Sequence, residues 1–187
     1  MTYNLAHLAH FEQELERFNA LLCACNSATA MLTQWMRSPG EDSVTEIVAI
    51  ERTGRTAAAD AEQIGRLHVK RRDEIRYRRV WLVYKGRIVS DAENWYVPAR
   101  LPLAMQDQLE QSVMPFGTII APSTPTRETL SNERLWHRKA DEAFVRLPVH
   151  IIRHCALVRD ADGLPISEVR ETYTRNILRR RDSTLQG

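Results

Sequence analysis

The 187 residues predict an α+β fold, one antiparallel β-sheet with covering helices. Three observations carry this: an amphipathic helical stripe at the start, a Gly-turned hairpin of β-rich runs in the middle, and a second such hairpin near the end. A hydrophobic share of 43% and a charged share of 27% suit a packed interior with a wet surface and exclude the disordered and low-complexity classes.

The first element is a helix in which Leu5, Leu8, Phe11, Leu15, Phe18 and Leu22 step by three and four on one face, with Glu12, Glu14, Glu16 and Arg17 between them. Asn26 or Ser27 caps a second helix through Met31, Leu32 and Trp35, and Ser38-Pro39-Gly40 stops it. Val44 to Ile50 alternates with β-branched residues, as a strand does. Residues 54–66 are polar, Ala-rich and Gly-flanked, a surface connection with room for one helical turn.

Ile75–Tyr84 and Ile88–Val97 form the first hairpin around Lys85-Gly86-Arg87. Val80 to Tyr84 is apolar on both faces, so that strand is central and covered on both sides. A short amphipathic helix begins near Pro102, using Leu101, Met105 and Leu109. Pro115-Phe116-Gly117 turns the chain into Thr118-Ile119-Ile120, and Thr126 to Arg138 reads as a strand or an extended loop. Val149–Arg159 and Ile166–Ile177 flank the turn Asp160 to Pro165 as a second hairpin. The chain reads as one domain, with helices over about 5–37, a sheet over about 42–178 and a frayed tail over 179–187.

Function classes fall away quickly. The 26 Lys+Arg against 24 Asp+Glu leave a formal charge of +2, which predicts neither a nucleic-acid nor a membrane partner. No apolar run approaches the ~20 residues of a bilayer span. The odd set Cys23, Cys25 and Cys155 fits reduced thiols, and with no signal-peptide plan at Met1-Thr2-Tyr3-Asn4 the expected compartment is the cytoplasm. No metal is expected, because His150 and His154 stand four apart in a strand, where they do not meet. Neither a phosphate-cradling glycine loop nor a nucleophile elbow is present, so no cofactor is expected.

Two positions stand out. Glu171 shares a strand face with Ser167, Val169 and Tyr173; turned inward it is a buried carboxylate needing a partner or a raised pKa, and turned to a sheet edge it is a salt bridge. Arg79 opens the strand that is apolar on both faces. Inward, it offers a bidentate carboxylate site; at a strand end it reaches water.

Four stretches join these positions: Arg79 to Tyr84; Ala92 to Pro98; Met114 to Gly117 with Thr126-Arg127; and Gly163 to Ile166 with Glu171-Thr172-Tyr173. Their order and spacing resemble the chorismate pyruvate-lyase family from about Asn26 to Ile177. The resemblance implies a chorismate lyase-like sheet whose helices enclose an internal ligand pocket, and a reaction that eliminates pyruvate from chorismate to leave a hydroxybenzoate, the 4-isomer being favoured. It implies Arg79 as the carboxylate clamp and Glu171 as the acid or hydrogen-bond partner, with Glu168 a rival by proximity. It also places Ala28, Phe116 and Gly117 against ligand, Phe116 where the family has Leu. Asn94 occupies a position that varies in the family, and the charged segment 132–150 is longer than a compact lyase needs. No cofactor is implied, and the partners are chorismate and its aromatic product.

Two other classes remain in view. The same fold resembles effector-binding domains of winged-helix repressors, so a non-catalytic sensor for a small aromatic acid is the alternative. The roughly 25 residues before Ser27 are expected to be too few for a DNA-reading module. A scaffolding role is the third reading, and it needs an exposed apolar patch.

Overall fold

A computed structural model describes residues 5–38, 40, 46–54, 56–137 and 147–178, with residues 5–7 described by backbone alone. The expected strand start at Val44, the middle of the charged 132–150 segment and the tail from 179 lie outside the described residues. Helix α1 (Leu5–Ala24) buries the anticipated stripe, with Leu8, Phe11, Leu15, Phe18 and Leu22 all at 3% exposure or less. Ser27, in extended conformation, caps α2 (Ala28–Met36) by accepting a hydrogen bond from the Ala30 amide at 3.2 Å.

Six strands make one antiparallel sheet: β1 (Val48–Glu51), β2 (Arg76–Tyr84), β3 (Arg87–Tyr96), β4 (Thr126–Arg134), β5 (His150–Arg159) and β6 (Pro165–Thr174), in the spatial order β1-β2-β3-β6-β5-β4. Both expected hairpins are present, and β3 pairs with β6 to join them. In the first turn Lys85 and Gly86 both have positive φ, 47° and 72°, the left-handed pair a two-residue hairpin needs. One irregularity sets which side chains of β2 face which way. Leu82 pairs with Ser90 but Val83 with Ile88, which leaves Val89 as an extra residue on β3.

The two sheet faces are covered differently. On the front, α1 and α2 pack over Val80, Leu82, Ile152 and Tyr173. Beside them α4 (Leu103–Gln111) and α5 (Phe116–Ile120) pack over Tyr96, Val158 and Ile166. Thr118-Ile119-Ile120 thus lies in a helix. On the back, the chain from 57 to 69 covers Trp95 and Leu157, and it contains a real helix, α3 (Ala61–Arg66), capped by a reciprocal Asp60–Gln63 box. The expectation that Val80 to Tyr84 is covered on both sides holds only in front: on the back, Trp81 is half-buried and its β1 neighbour Ile50 is exposed, because the chain from 57 to 69 covers the sheet farther along, over Trp95 and Leu157.

Glu168 belongs to the back face. Its buried carboxylate accepts from Gln63 Nε2 at 3.1 Å and from Arg66 Nε and Nη2 at 2.7 and 3.1 Å, so it fastens α3 to the sheet. Its rivalry with Glu171 for the front-face site ends there. Removing it leaves the buried Gln63 amide without its acceptor and takes two hydrogen bonds from Arg66, which keeps only Glu62, so Glu168→Ala is expected to destabilise by about 2–3 kcal/mol. A urea unfolding curve measures that loss.

Candidate functional site

Front-face side chains along β2, β3 and β6 are set by the register: Arg78 stands opposite Asn94, which stands opposite Val169, and Val80 opposite Ala92, which stands opposite Glu171. Over these residues, beneath the first turn of α2 and the whole of α5, lies a cavity of about 390 Å³. Val80, Leu82, Ala92, Ile120, Val158 and Val169 give it apolar walls. Ala28, Phe116, Gly117 and Glu171 all line it, and all four were singled out from the sequence.

Arg79 is a correction. It points to the back of the sheet, where Nε and Nη2 hold both oxygens of Asp91 at 3.0 and 2.7 Å. Asp91 also accepts from Arg52 at 2.7 Å, and Arg52 lies 4.6 Å over the Trp81 ring. That is a structural ion-pair cluster, away from the cavity. The cavity arginine is Arg78, 8% exposed, whose Nε has no hydrogen-bond partner. Burial pulls its guanidinium below the ordinary arginine range, against the nearby charge of Glu51.

The bulge explains the exchange. A regular hairpin closing on Tyr84 opposite Arg87 would set Arg79 opposite Ala92, on the face of Glu171; the extra Val89 sets Val80 there instead. One residue of slip reverses every side chain along the strand. Hydrophobicity gives no warning, because Val80 and Leu82 on one face are matched by Trp81 and Val83 on the other.

Arg127 is a site residue that sequence reasoning quoted but did not assign a role. It comes from β4, its side chain is 3% exposed, and its Nη2 lies 3.5 Å from Glu171 Oε2. Its Nη1 donates to the Leu22 carbonyl at the end of α1 at 3.0 Å and to Thr129 Oγ1 at 3.2 Å. The polar, non-alternating run Thr126 to Arg134 carried no facing signal that would have pointed it inward. Beside Glu171 on the same strand face, Tyr173 is fully buried, and burial together with the Glu171 charge pushes its pKa well up. His154, also 0% exposed, meets Asn19 Oδ1 through Nε2 at 2.8 Å. Burial, and then the Arg127 charge, lower its pKa to about 4, so it is neutral at ordinary pH.

The cavity therefore holds two buried guanidinium groups and one buried carboxylate within apolar walls. Such a lining suits an anionic group carried on a small apolar body. Among the described residues, no group of three His, Cys, Asp or Glu is placed to hold a metal ion, and no helix is long and apolar enough to cross a membrane.

Two substitutions probe this packing. A Cβ on Gly117 would stand 2.7 Å from Thr29 Oγ1, so Gly117→Ala forces α5 away from α2. We expect it to cost about 1–3 kcal/mol in thermal unfolding and to distort the cavity roof. His154 has the opposite sign from a histidine in an ion pair. From pH 7 down to pH 5 the unfolded chain binds a proton that the folded chain refuses until about pH 4, so stability falls with pH. The loss at pH 5 is about 2 kcal/mol, and His154→Gln should flatten that slope in unfolding curves taken across the range.

No protein-family model matches the chain. Among solved structures, the effector domain of PhnF from Mycobacterium smegmatis superposes with a TM-score of 0.53 at 15% identity, over 81% of this chain and 90% of that one. PhnF itself from the same organism gives 0.52 at 15% identity, over 82% of this chain and 65% of that one. At such identity the likeness is one of fold. The uncharacterized protein y4mC of Sinorhizobium fredii is 33% identical over 181 residues, which span 88% of this chain and 75% of that protein. The chain belongs to the same family as y4mC.

Proposed function

We propose that this chain is a binding domain for a small ring carboxylic acid, with Arg78 holding the carboxylate and the Glu171–Arg127 pair holding a second polar group. The observation that carries this reading is the buried guanidinium of Arg78, without an ion-pair partner among the described residues, in the same cavity as Glu171. A buried cation left without an acceptor is costly, and an anionic ligand relieves it. The volume lies within the range of small-molecule sites. The fold shared with the PhnF effector domain supports a sensor-type role, since an effector domain is by name one that takes an effector.

Roles divide by element. Arg78 on β2 presents its fork to a carboxylate, and Ala28, Phe116 and Gly117 close over the ring from α2 and α5. Glu171 accepts a hydrogen bond from a ligand hydroxyl, while Arg127 keeps that carboxylate in place from its other side. An aromatic hydroxy acid such as 4-hydroxybenzoate meets each of these demands.

A second reading, chorismate lyase, is favoured by one observation: an arginine and Glu171 do face a common cavity, although the arginine is Arg78. Elimination of pyruvate aromatises the ring, so the reaction runs downhill and asks mainly for orientation and placed charge. Arg78 would clamp a carboxylate, and Glu171 would stand at the departing enolpyruvyl oxygen.

Two measurements separate the readings. Titration calorimetry with 4-hydroxybenzoate detects binding, and incubation with chorismate detects release of pyruvate in equal amount with an aromatic product. Binding without pyruvate supports the binding domain; turnover supports the lyase; neither overturns both. Arg78→Ala should weaken 4-hydroxybenzoate binding about 10–100-fold, the worth of a charge-assisted bond. Arg79→Ala should leave the affinity unchanged and lower stability instead. Equal effects of the two variants on affinity would refute the assignment.

A further inference from the structure

We propose that Asn94, oriented by Ser167, is a specificity-determining residue that makes the Arg78 end of the cavity accept a carboxylate and refuse its uncharged carboxamide counterpart. The assignment rests on the ring-acid reading above and refines it.

Asn94 lies directly across the β2–β3 pair from Arg78 and lines the cavity at 6% exposure. Its Oδ1 accepts a hydrogen bond from the hydroxyl of Ser167, which is 0% exposed on β6. An amide has one oxygen and one NH2 group. With the oxygen engaged by Ser167, the amide NH2 is left buried at the cavity wall, and Nδ2 has no partner. The neighbouring Arg78 Nε is in the same condition. Two adjacent buried donors thus stand without an acceptor at this end, while the carboxylate of Glu171 lies along the sheet beside Arg127.

A group with two acceptor oxygens and no proton completes both donors, and a carboxylate is such a group. A primary carboxamide is nearly the same shape but offers one oxygen, and it sets its own N–H groups against a guanidinium or against the Asn94 NH2. Arg78 alone draws in anions of many shapes. Asn94 adds the demand that a second acceptor oxygen stand beside it, and Ser167 supplies that demand by fixing which way the amide faces. Sites built around a hydrogen-bond pattern discriminate strongly against isosteres that break it.

The test uses the full chain and two probes, 4-hydroxybenzoate and 4-hydroxybenzamide, with affinities measured by calorimetry and folding checked by circular dichroism. The wild type should bind the acid about 100-fold more tightly than the amide. Asn94→Asp keeps the shape and the Ser167 hydrogen bond but turns a carboxylate oxygen to the cavity. It should lose about 100-fold in affinity for the acid and bring the amide to within about tenfold of it. Ser167→Ala frees the amide to rotate and should lower acid affinity about tenfold while narrowing the ratio. If Asn94→Asp folds and keeps the wild-type ratio, or if Ser167→Ala leaves it unchanged, the assignment is overturned although the ring-acid reading stands. A folded wild type that binds neither probe overturns that reading and this assignment with it.

Discussion

The bulge at Val89 is the constraint on which the site depends. It slides β2 by one residue against β3 beyond the turn, so Arg78, Val80 and Leu82 meet Asn94, Ala92 and Ser90 on the front face. Because β6 is registered on β3, the same slip decides which arginine shares a face with Glu171. On the back it brings Arg79 into reach of Asp91, and there the pair is satisfied, with Arg52 as a third member. Two consecutive arginines thus acquire opposite fates from one unpaired residue: one is neutralised in a structural cluster, and the other is left buried with capacity to spare.

Charge is arranged around that cavity without being balanced inside it. Arg127 donates to the end of α1 and stands in ion-pair range of Glu171, so the carboxylate side of the site is tied to the helical layer. His154, neutral by burial, links α1 again through Asn19 and adds no charge of its own. The excess that remains is cationic and sits at Arg78. A low-dielectric pocket amplifies such an excess, which is why one guanidinium there matters more than the exposed arginines and lysines elsewhere on the surface.

Much of the fold is legible in the chain itself. The α1 stripe, a cap at Asn26 or Ser27, both hairpins and the antiparallel α+β class all rest on local rules of period, capping and turn chemistry, and local rules are written in consecutive residues. The stretch 61–66 is harder: Ala61-Glu62-Gln63-Ile64-Gly65-Arg66 has little apolar stripe, and its helix is held by the Asp60–Gln63 box and by the long-range bond to Glu168. Of the site, Glu171 is legible because one face of its strand carries Val169 and Tyr173 beside a lone acid, which is a signal of period two.

Consecutive residues thus decide which elements form, and they set a lone acid on a half-apolar face of the last strand; that this face turns inward is a result of the packing above it. Which arginine answers it was settled only in three dimensions. A strand apolar on both faces has no parity to read, and a bulge is a tertiary compromise between hairpin twist and sheet packing that leaves no mark in composition. The same holds for Arg127, brought against Glu171 by a strand two places away in the sheet, and for the amide of Asn94, met by a serine 73 residues further along the chain.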